Sequence, residues 1–280
     1  MKIMILGADG YLGWPTSVDL SSKNHKLLLI DNFTKKNLLK EYNRQPLLSN
    51  KPLNTRIKFL NNKNVIFKNI NCSNYIKFSN AFKAFKPDAV IHYAELPSAP
   101  YSMLGHMEGW KTIENNLKST FNLINCIKNF NPNCHVIKLG TMGEYGTPNI
   151  DIEEGWLEIT HNGRKDKVLY PKKPHSFYHL SKVHDSHNLE FGCRVWGLKV
   201  TDLNQGVVYG NSTKCTDLDV NLETSFHYDH VFGTVLNRFL VQSVANIPLT
   251  IYGEGTQTRP ALNINDTIRC VEIAASNPAE

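Results

Sequence analysis

Short apolar runs alternate along the chain with longer segments in which apolar residues recur at helical spacing. The runs at 2–6, 26–30, 65–69, 89–93, 135–139 and 199–203 are predicted strands, and the segments 10–22, 76–85, 109–129 and 177–196 are predicted helices. Strands that alternate with helices are joined by crossover connections, which make the strands parallel and cover both faces of the sheet. The pattern therefore predicts an α/β fold with a doubly wound parallel sheet.

Two polar segments interrupt this alternation. The segment 32–64 is rich in Asn and Lys, and the segment 147–175 is rich in charge, Gly and Pro. Both are predicted to be loops or small excursions over the substrate side of the sheet.

Beyond Tyr209 the pattern becomes irregular, with a predicted helix at 232–245, a short strand at 249–252 and a final helix at 265–275. We interpret residues 1–206 as a Rossmann-type domain, to which 258–280 returns, and 207–257 as part of a smaller C-terminal substrate lobe. The lobe is expected to be truncated, because the chain ends directly after a helix and without further strands.

Composition narrows the classes of partner. The 280-residue chain is 41% hydrophobic, and its net charge of +6 comes from short pairs such as Lys35-Lys36 rather than from a basic stripe, so nucleic acid is not a predicted partner. The six cysteines include no Cys-x-x-Cys pair, and His179, His184 and His187 do not converge as a four-residue helical pair would. No metal is predicted.

The N-terminal apolar run holds about five residues, whereas a membrane span needs about 20. No membrane association is predicted. The expected compartment is the cytoplasm, with the plastid stroma as the alternative if a transit peptide has been removed.

A glycine motif follows the first predicted strand and opens the first helix. Gly7, Gly10 and Gly13 have the spacing that permits a tight turn and lets a pyrophosphate approach the backbone N–H groups at the positive end of a helix. Asp31 closes the second strand, where a carboxylate accepts hydrogen bonds from ribose hydroxyls and repels a 2′-phosphate. The predicted cofactor is NAD rather than NADP.

Tyr178 and Lys182 form a Tyr-x-x-x-Lys pair on a predicted helix. The four-residue spacing places the phenol and the ammonium on one helix face, where the cation is expected to lower the pKa of the phenol and make it a general base. Thr141 ends a strand at the carboxyl edge, where its hydroxyl can hold a sugar hydroxyl beside Tyr178.

Together these residues resemble the extended short-chain dehydrogenases and, more closely, the UDP-sulfoquinovose synthases, over essentially all 280 residues. The most specific stretches are Gly10-Tyr11 with Gly13-Trp14, Ser98-Ala99-Pro100-Tyr101-Ser102-Met103, and the segments 138–154, 176–186 and 201–210. The resemblance implies a homodimeric enzyme that joins UDP-glucose and sulfite into UDP-sulfoquinovose, using NAD that is regenerated in each turnover.

The expected site residues fall into three groups. The catalytic group is Thr141, Tyr178, Lys182, Glu144 and His179. The cofactor-binding group is Gly7, Asp9, Gly10, Tyr11, Gly13, Asp31, Asn32, Asn71, Tyr178 and Lys182. The substrate-binding group is Tyr101, Thr141, Gln205, Arg238 and Arg259.

Some positions depart from related patterns. In nucleotide-sugar 4,6-dehydratases the threonine is followed by an aspartate and a glutamate, whereas here Met142 and Gly143 follow it, which favours the synthase pattern. The family's substrate-contacting arginine is replaced by Pro97, and the aspartate that approaches adenine is replaced by Asn71. Two alternatives stay open: another NAD-dependent UDP-sugar 4-epimerase or 4,6-dehydratase, and a non-catalytic NAD-binding protein.

Overall fold

A six-stranded parallel sheet organises the protein in the computed structural model, which describes residues 1–148, 150–153, 155–256 and 258–278. Across the sheet the strands lie in the order β3 (Val65–Asn69), β2 (Lys26–Asp31), β1 (Lys2–Leu6), β4 (Ala89–His92), β5 (His135–Thr141) and β8 (Lys199–Gln205). The strand order reverses between β1 and β4, which creates the crevice where open α/β sheets bind ligands. All six predicted strands and the doubly wound sheet are confirmed.

Five longer helices cover the two faces of the sheet: α1 (Gly13–Ser22), α4 (Tyr75–Phe85), α6 (His106–Phe130), α7 (Phe177–Trp196) and α9 (Ile264–Ser276). Strand β1 shows how the core forms. Met4 and Leu6 pack on the α4, α6 and α7 side, while Ile3 and Ile5 pack on the opposite side, and all four are fully buried. A strand buried on both faces needs the continuous apolar run that the sequence has.

The segment 32–64 contains two short helices, α2 (Thr34–Glu41) and α3 (Leu53–Arg56), and a third short helix, α5 (Ala99–Ser102), follows β4. The segment 147–175 contains an antiparallel hairpin of β6 (Trp156–His161) and β7 (Arg164–Leu169). Asn162 and Gly163 at its turn both have positive φ, the conformation that an Asn-Gly hairpin turn requires. The Asn-Gly pair is the sequence signal that our loop prediction missed.

The predicted strand at 249–252 is wrong. Its residues run as irregular chain, with Leu249 and Ile251 exposed to 48% and 60%, because the strand pairing in this part of the chain lies elsewhere. Strand β9 (Val207–Tyr209) pairs in parallel with β10 (Ala261–Asn263), and α8 (Val235–Val244) lies between them in the sequence. Apolar character alone did not distinguish an exposed segment from a paired one.

Helix α9 returns to the sheet. Its Val271, Ala274 and Ala275 belong to the same buried cluster as Ile3 and Ile5. This packing supports the predicted return of the C-terminal segment, whose last two residues lie outside the described ones, while the division at 206 and 257 stays a prediction. Among the described residues, no helix has the length and apolar character needed to cross a bilayer.

Candidate active site

One large cavity of about 1180 Å³ runs along the carboxyl edge of the sheet. Small-molecule pockets commonly have volumes of about 300–1,000 Å³, so this cavity has room for a dinucleotide and part of a second ligand. It brings together nearly all of the predicted site residues: Gly7, Asp9, Gly10, Tyr11, Gly13, Asp31, Asn32, Asn71, Thr141, Tyr178, His179, Lys182, Gln205, Arg238 and Arg259.

The glycine turn between β1 and α1 forms one end of the cavity. A Cβ on Gly13 would lie 2.0 Å from Gly7 O, and a Cβ on Gly7, whose φ is +80°, would lie 2.7 Å from the Tyr93 carbonyl. Leu12 at the N-cap makes no side-chain hydrogen bond to the helix. The first N–H groups of α1 are thus not capped by that side chain, and this arrangement fits the pyrophosphate of NAD.

Asp31 ends β2 at the cavity wall. Its Oδ2 accepts a hydrogen bond from Asp9 N at 2.8 Å and its Oδ1 accepts one from Phe33 N at 2.7 Å. Burial raises the pKa of Asp31, although both backbone hydrogen bonds oppose that shift. A carboxylate oxygen has two lone pairs, so each oxygen can still accept a ribose hydroxyl.

The Asp9 carboxylate is held by two cations that sequence analysis missed. Lys36 Nζ lies 2.7 Å from Asp9 Oδ2, and the fully buried Arg56 guanidinium donates to Asp9 Oδ1. Arg56 also lies 4.2 Å from the centroid of the Trp14 ring. Arg56 lies in a segment with no recognisable motif, so nothing in the sequence marked it.

Three other predicted cofactor residues are partly engaged with the backbone. The Tyr11 hydroxyl donates to Gly210 O, and burial raises the pKa of Tyr11 to about 12. The side-chain oxygens of Asn32 and Asn71 accept from Thr34 N and Ser73 N, at 3.0 and 2.9 Å. Both asparagines shape their loops and keep their amide N–H groups for other contacts.

Thr141 and Gln205 end neighbouring strands and pair in register across β5 and β8. Thr141 Oγ1 accepts a hydrogen bond from Gly143 N at 3.1 Å, which caps a short 3₁₀ turn, Met142–Glu144. Arg238 also lines the cavity; it is buried, and its Nε and Nη2 have no hydrogen-bond partner among the described residues. An unpartnered buried guanidinium at a cavity wall suits an anionic ligand.

Tyr178 and Lys182 face the cavity from the first turns of α7, as predicted. Lys182 Nζ lies 5.9 Å from the centroid of the Tyr178 ring, donates to Leu139 O at 2.6 Å and forms an ion pair with Glu95 Oε2 at 2.7 Å. Burial raises the pKa of Tyr178, and the nearby Lys182 charge offsets this only partly. The expected net lowering of the phenol pKa is therefore not found, because burial outweighs the Lys182 charge.

His179 lies beside Tyr178 and packs against the 3₁₀ turn. Its Nδ1 lies 3.0 Å from Ser176 Oγ. Burial lowers the pKa of His179 to about 4, so the imidazole is neutral near pH 7. A Cβ added to Gly143 would lie 2.3 Å from His179 Nε2, so the imidazole occupies the space that a side chain at position 143 would need.

Two predicted site residues do not line the cavity. Tyr101 is fully buried, with its ring packed between Tyr42 and Phe232 at centroid distances of 5.5 and 5.8 Å. The cause is local: Ser98 caps α5 by accepting from Tyr101 N, which turns the tyrosine into this aromatic cluster. Tyr101 is therefore part of the core and not of the cavity wall, which corrects the prediction that it contacts substrate.

Glu144 is also fully buried, in an ion cluster behind the cavity wall. Its Oε1 lies 3.1 Å from Lys138 Nζ, and its Oε2 lies 2.5 Å from Lys172 Nζ and 2.9 Å from Ser186 Oγ. Burial alone would raise the pKa of Glu144, but the two lysines lower it. The structure thus places Glu144 among structural partners instead of at the cavity wall where the prediction required it.

Comparison with known proteins places this arrangement in a family. The model of the NAD dependent epimerase/dehydratase family matches residues 3–280. The chain belongs to this family. The NAD cofactor predicted from the glycine motif and Asp31 is confirmed at the level of the family.

Two curated relatives confirm the closer resemblance. The chain is 48% identical to the chloroplastic UDP-sulfoquinovose synthase of Spinacia oleracea over 100% of its own length, and it spans 58% of that relative. It is 38% identical to the UDP-sulfoquinovose synthase of Sulfolobus acidocaldarius over 99% of its length, and it spans 72% of that relative.

The fold also matches a solved structure of UDP-glucuronic acid 4-epimerase from Bacillus cereus in complex with UDP-glucuronic acid and NAD. The TM-score is 0.70 at 21% identity, over 99% of this chain and 74% of that one. This likeness confirms the Rossmann-type fold.

Proposed function

We propose that the protein converts UDP-glucose and sulfite into UDP-sulfoquinovose and uses NAD as a cofactor that is regenerated in each turnover. Two UDP-sulfoquinovose synthases among its relatives support this proposal. The observation that carries it is the contact between Gly143 and His179 beside Tyr178.

This contact supports the synthase chemistry over that of a 4,6-dehydratase. A dehydratase places a glutamate at the position of Gly143, and even its Cβ would lie 2.3 Å from His179 Nε2 here. Real Cβ atoms do not approach a ring nitrogen so closely. The sequence therefore replaces an acidic side chain at this wall of the cavity by a neutral imidazole.

The chemistry begins at C4 of the glucose unit. Tyr178 would take the proton of the C4 hydroxyl as a phenolate, which the Lys182 charge and the positive charge of a bound nicotinamide would favour, while Thr141 Oγ1 holds a neighbouring sugar oxygen. The glycine turn and Asp31 would hold NAD, which would supply reversible hydride acceptance at C4. The resulting C4 ketone acidifies C5–H, and water is lost across C5–C6.

Sulfite then adds through sulfur to C6 of the unsaturated ketone, C5 regains a proton, and C4 is reduced again. The net reaction joins UDP-glucose and sulfite with release of one water, and no outside reductant is consumed. We assign the proton transfers at C5 and C6 to His179, because its neutral imidazole lines the cavity beside Tyr178 and can both accept and donate a proton. Gln205, Arg238 and Arg259 hold the nucleotide sugar.

Pro97 favours a second candidate function. It lies exposed at the cavity wall, where the resemblance puts a substrate-contacting arginine. A proline cannot supply a bidentate cation for an anion, so sulfite or the substrate anion would need another partner. The second candidate is another NAD-dependent UDP-sugar 4-epimerase or 4,6-dehydratase.

The deciding experiment is mass spectrometry of UDP-linked products after full-length protein has been incubated with UDP-glucose and NAD, with and without sulfite. A UDP-hexose sulfonate that forms only with sulfite is the expected result. A 4-epimer or a 4-keto-6-deoxy sugar formed without sulfite would select the second candidate. NAD binding without any turnover would select a non-catalytic NAD-binding protein.

We also propose a homodimer. Helices α6 and α7 pack against each other and present an exposed apolar face, formed by Met107, Trp110, Phe121, Phe177, Phe191 and Val195. Exposed apolar faces of this kind mark interaction surfaces. Light scattering on full-length protein is expected to give the mass of two chains, and the mass of one chain would contradict the proposal. The cytoplasm stays our prediction for the compartment, with the plastid stroma as the alternative.

A further inference from the structure

The ion pair between Lys182 and Glu95 points to a role for a residue outside the predicted site groups. Glu95 Oε2 lies 2.7 Å from Lys182 Nζ, and the side chains of the two residues are 2% and 5% exposed. Glu95 Oε1 has no hydrogen-bond partner among the described residues. A buried, incompletely paired carboxylate is costly in free energy, so its place beside the Tyr-x-x-x-Lys pair calls for an explanation.

The surrounding structure fixes Glu95 in place. The next residue, Leu96, donates its N–H to Asn116 Oδ1 at 2.8 Å, and Asn116 Nδ2 donates to Ser181 Oγ at 2.9 Å. Ser181 directly precedes Lys182 on α7, and both Asn116 and Ser181 are fully buried. The loop after β4 is thereby tied to the helix turn that carries the lysine.

We propose that Glu95 is a positioning residue for the catalytic pair: its carboxylate keeps Lys182 charged and holds Nζ at the cavity wall beside Tyr178. Without Glu95, the Lys182 ammonium would keep only the Leu139 carbonyl, at 2.6 Å, as a hydrogen-bond acceptor among the described residues. A buried ammonium that loses its counter-ion tends to release its proton. Tyr178 would then lose the cation on which its role as a base depends.

The charges around Lys182 are consistent with this role. Burial lowers the pKa of Lys182, but Glu95 is the largest opposing influence and the pKa ends above its usual value. The other titratable groups whose charge acts on Lys182, or is acted on by it, lie on three elements: His92 on β4, Lys138 on β5, and Tyr178, His179 and Asp185 on α7. Lys138 opposes the charge on Lys182 and Tyr178 favours it to a lesser degree than Glu95.

The test is the pH dependence of acetylation of Lys182 by acetic anhydride at trace concentration, read from its peptide by mass spectrometry. Exposed lysines of the same chain serve as internal standards. In Glu95→Gln we expect the pH midpoint of Lys182 acetylation to fall by at least about one unit, a tenfold change in the acid constant. A merely structural role would change how accessible the amine is but would not move its midpoint.

Glu144→Gln is the matched control, because Glu144 is an equally buried carboxylate that pairs with Lys138 and Lys172 instead of Lys182. In Glu144→Gln, the pH midpoint of Lys182 acetylation is expected to stay at the wild-type value. Glu95→Asp keeps the charge but has a shorter side chain, so the pH midpoint of Lys182 acetylation should fall by a smaller amount. This variant replaces Glu95→Gln in the test if Glu95→Gln does not fold. An unmoved midpoint in the folded Glu95 variants, or an equal shift in Glu144→Gln, would overturn the proposal.

The consequence for turnover rests on the proposed function, whereas the charge of Lys182 does not. Acetylation needs neither UDP-glucose nor sulfite, so a failure of the sulfite reaction would leave this test intact. If the protein converts UDP-glucose and sulfite as proposed, Glu95→Gln should lower kcat at neutral pH with little change in KM. Glu95→Asp should then show a smaller loss of kcat.

Discussion

Helix α7 contributes to two charged clusters that differ in exposure to the cavity. The cavity pair is Lys182 with Glu95, which both line the cavity. The buried network is Lys138, Glu144, Lys172, Asp202 and Ser186, which lies behind the wall. Both oxygens of Glu144 have partners, whereas Glu95 Oε1 has none among the described residues. The difference between these two glutamates teaches that unused hydrogen-bonding capacity marks a candidate functional charge when it lies at a cavity, whereas a fully paired carboxylate behind the wall is structural.

The largest expected effect is a loss of activity after substitution of Tyr178, which lines the cavity beside Lys182. Tyr178→Phe removes the phenol that we propose takes the C4 proton, so product formation should fall by about 10³-fold, within the range for a positioned acid–base group. The free energy of unfolding should change little, because the ring and its packing stay. The measurement is product formation by mass spectrometry alongside denaturant unfolding.

Tyr209→Phe is the control for this prediction, because Tyr209 ends β9 outside the residues that line the cavity. Its activity should equal that of the wild type. Equal losses in the two variants would show that the phenol at 178 has no special role.

A substitution in the buried network should lower the stability of the fold, whereas Tyr178→Phe should lower activity. Lys138 is fully buried, with Glu144, Asp202, Ser186 Oγ and Lys182 O within 3.3 Å of its Nζ. Lys138→Met leaves Asp202 without its cation and Glu144 with Lys172 alone, and it should lower the free energy of unfolding by about 3–5 kcal/mol. Denaturant unfolding followed by circular dichroism measures it.

The matched control is Lys165→Met on the β6–β7 hairpin. Lys165 pairs with Glu158 at 2.9 Å, but the two side chains are 69% and 57% exposed. This exposed pair should contribute less than about 1 kcal/mol. If Lys138→Met were as mild as Lys165→Met, burial would not be the property that separates the two kinds of charge.

A pH dependence links the two clusters through His92, which both Lys182 and Lys138 influence. Burial and then the two lysine charges lower the pKa of His92 from 6.5 to about 3, and its Nε2 lies 3.0 Å from Thr120 Oγ1. The unfolded chain therefore takes up a proton on this histidine near pH 6.5 while the folded chain does not. The free energy of unfolding should fall with decreasing pH below about 6.5.

His92→Gln removes that proton uptake while keeping a side chain able to reach Thr120. Between pH 6 and pH 4.5 the slope of unfolding free energy against pH should decrease by about 1.4 kcal/mol per pH unit, the linkage value for one proton. Urea unfolding at several pH values measures the slope. A slope equal to that of the wild type would mean that His92 is protonated in the folded protein.

Below about pH 4.5 the buried network adds a second loss. The lowered pKa of Glu144 means that its ion pairs stabilise the fold above the unfolded pKa of 4.5 and are lost as the pH falls through the lower folded value. The His92 slope is therefore measured above that window.

The fold and most of the cavity could be predicted from the sequence because they depend on local patterns. Buried parallel strands impose continuous apolar runs, and the glycine turn, Asp31 and the Tyr178–Lys182 pair have fixed spacings. Glu95, three residues after His92 at the end of β4, is a carboxylate at the carboxyl edge of the sheet, and this position is a usable sequence signal for a residue at the cavity.

The remaining features depend on contacts between distant segments. Arg56 reaches Asp9 across 47 positions, and Lys172 reaches Glu144 across 28. Glu144 follows a strand end just as Thr141 does, so spacing could not reveal that two lysines enclose it. Tyr101 lies in a stretch that resembles the family, but its direction is set by the capping of α5 and by packing against Phe232. Patterns predict where a residue lies along the sheet, and tertiary packing decides which way it faces.

The smallest expected effect concerns Pro97, where the cavity wall lacks the cation that the resemblance implies. Pro97 is exposed, so a longer side chain has room at this position. The substitution should also leave the cap of α5 intact, because Tyr101 N donates to the side chain of Ser98 and not to residue 97. Pro97→Arg should lower KM for the anion that lies beside it, UDP-glucose or sulfite, by about fivefold with kcat unchanged, since one net hydrogen bond contributes about 1 kcal/mol. Pro97→Met has similar reach without the charge and is the control. A lower KM in the arginine variant alone would show that this part of the wall faces an anion and that Pro97 weakens its binding. Equal KM values in both variants would instead assign anion recognition to other lining residues such as Arg238.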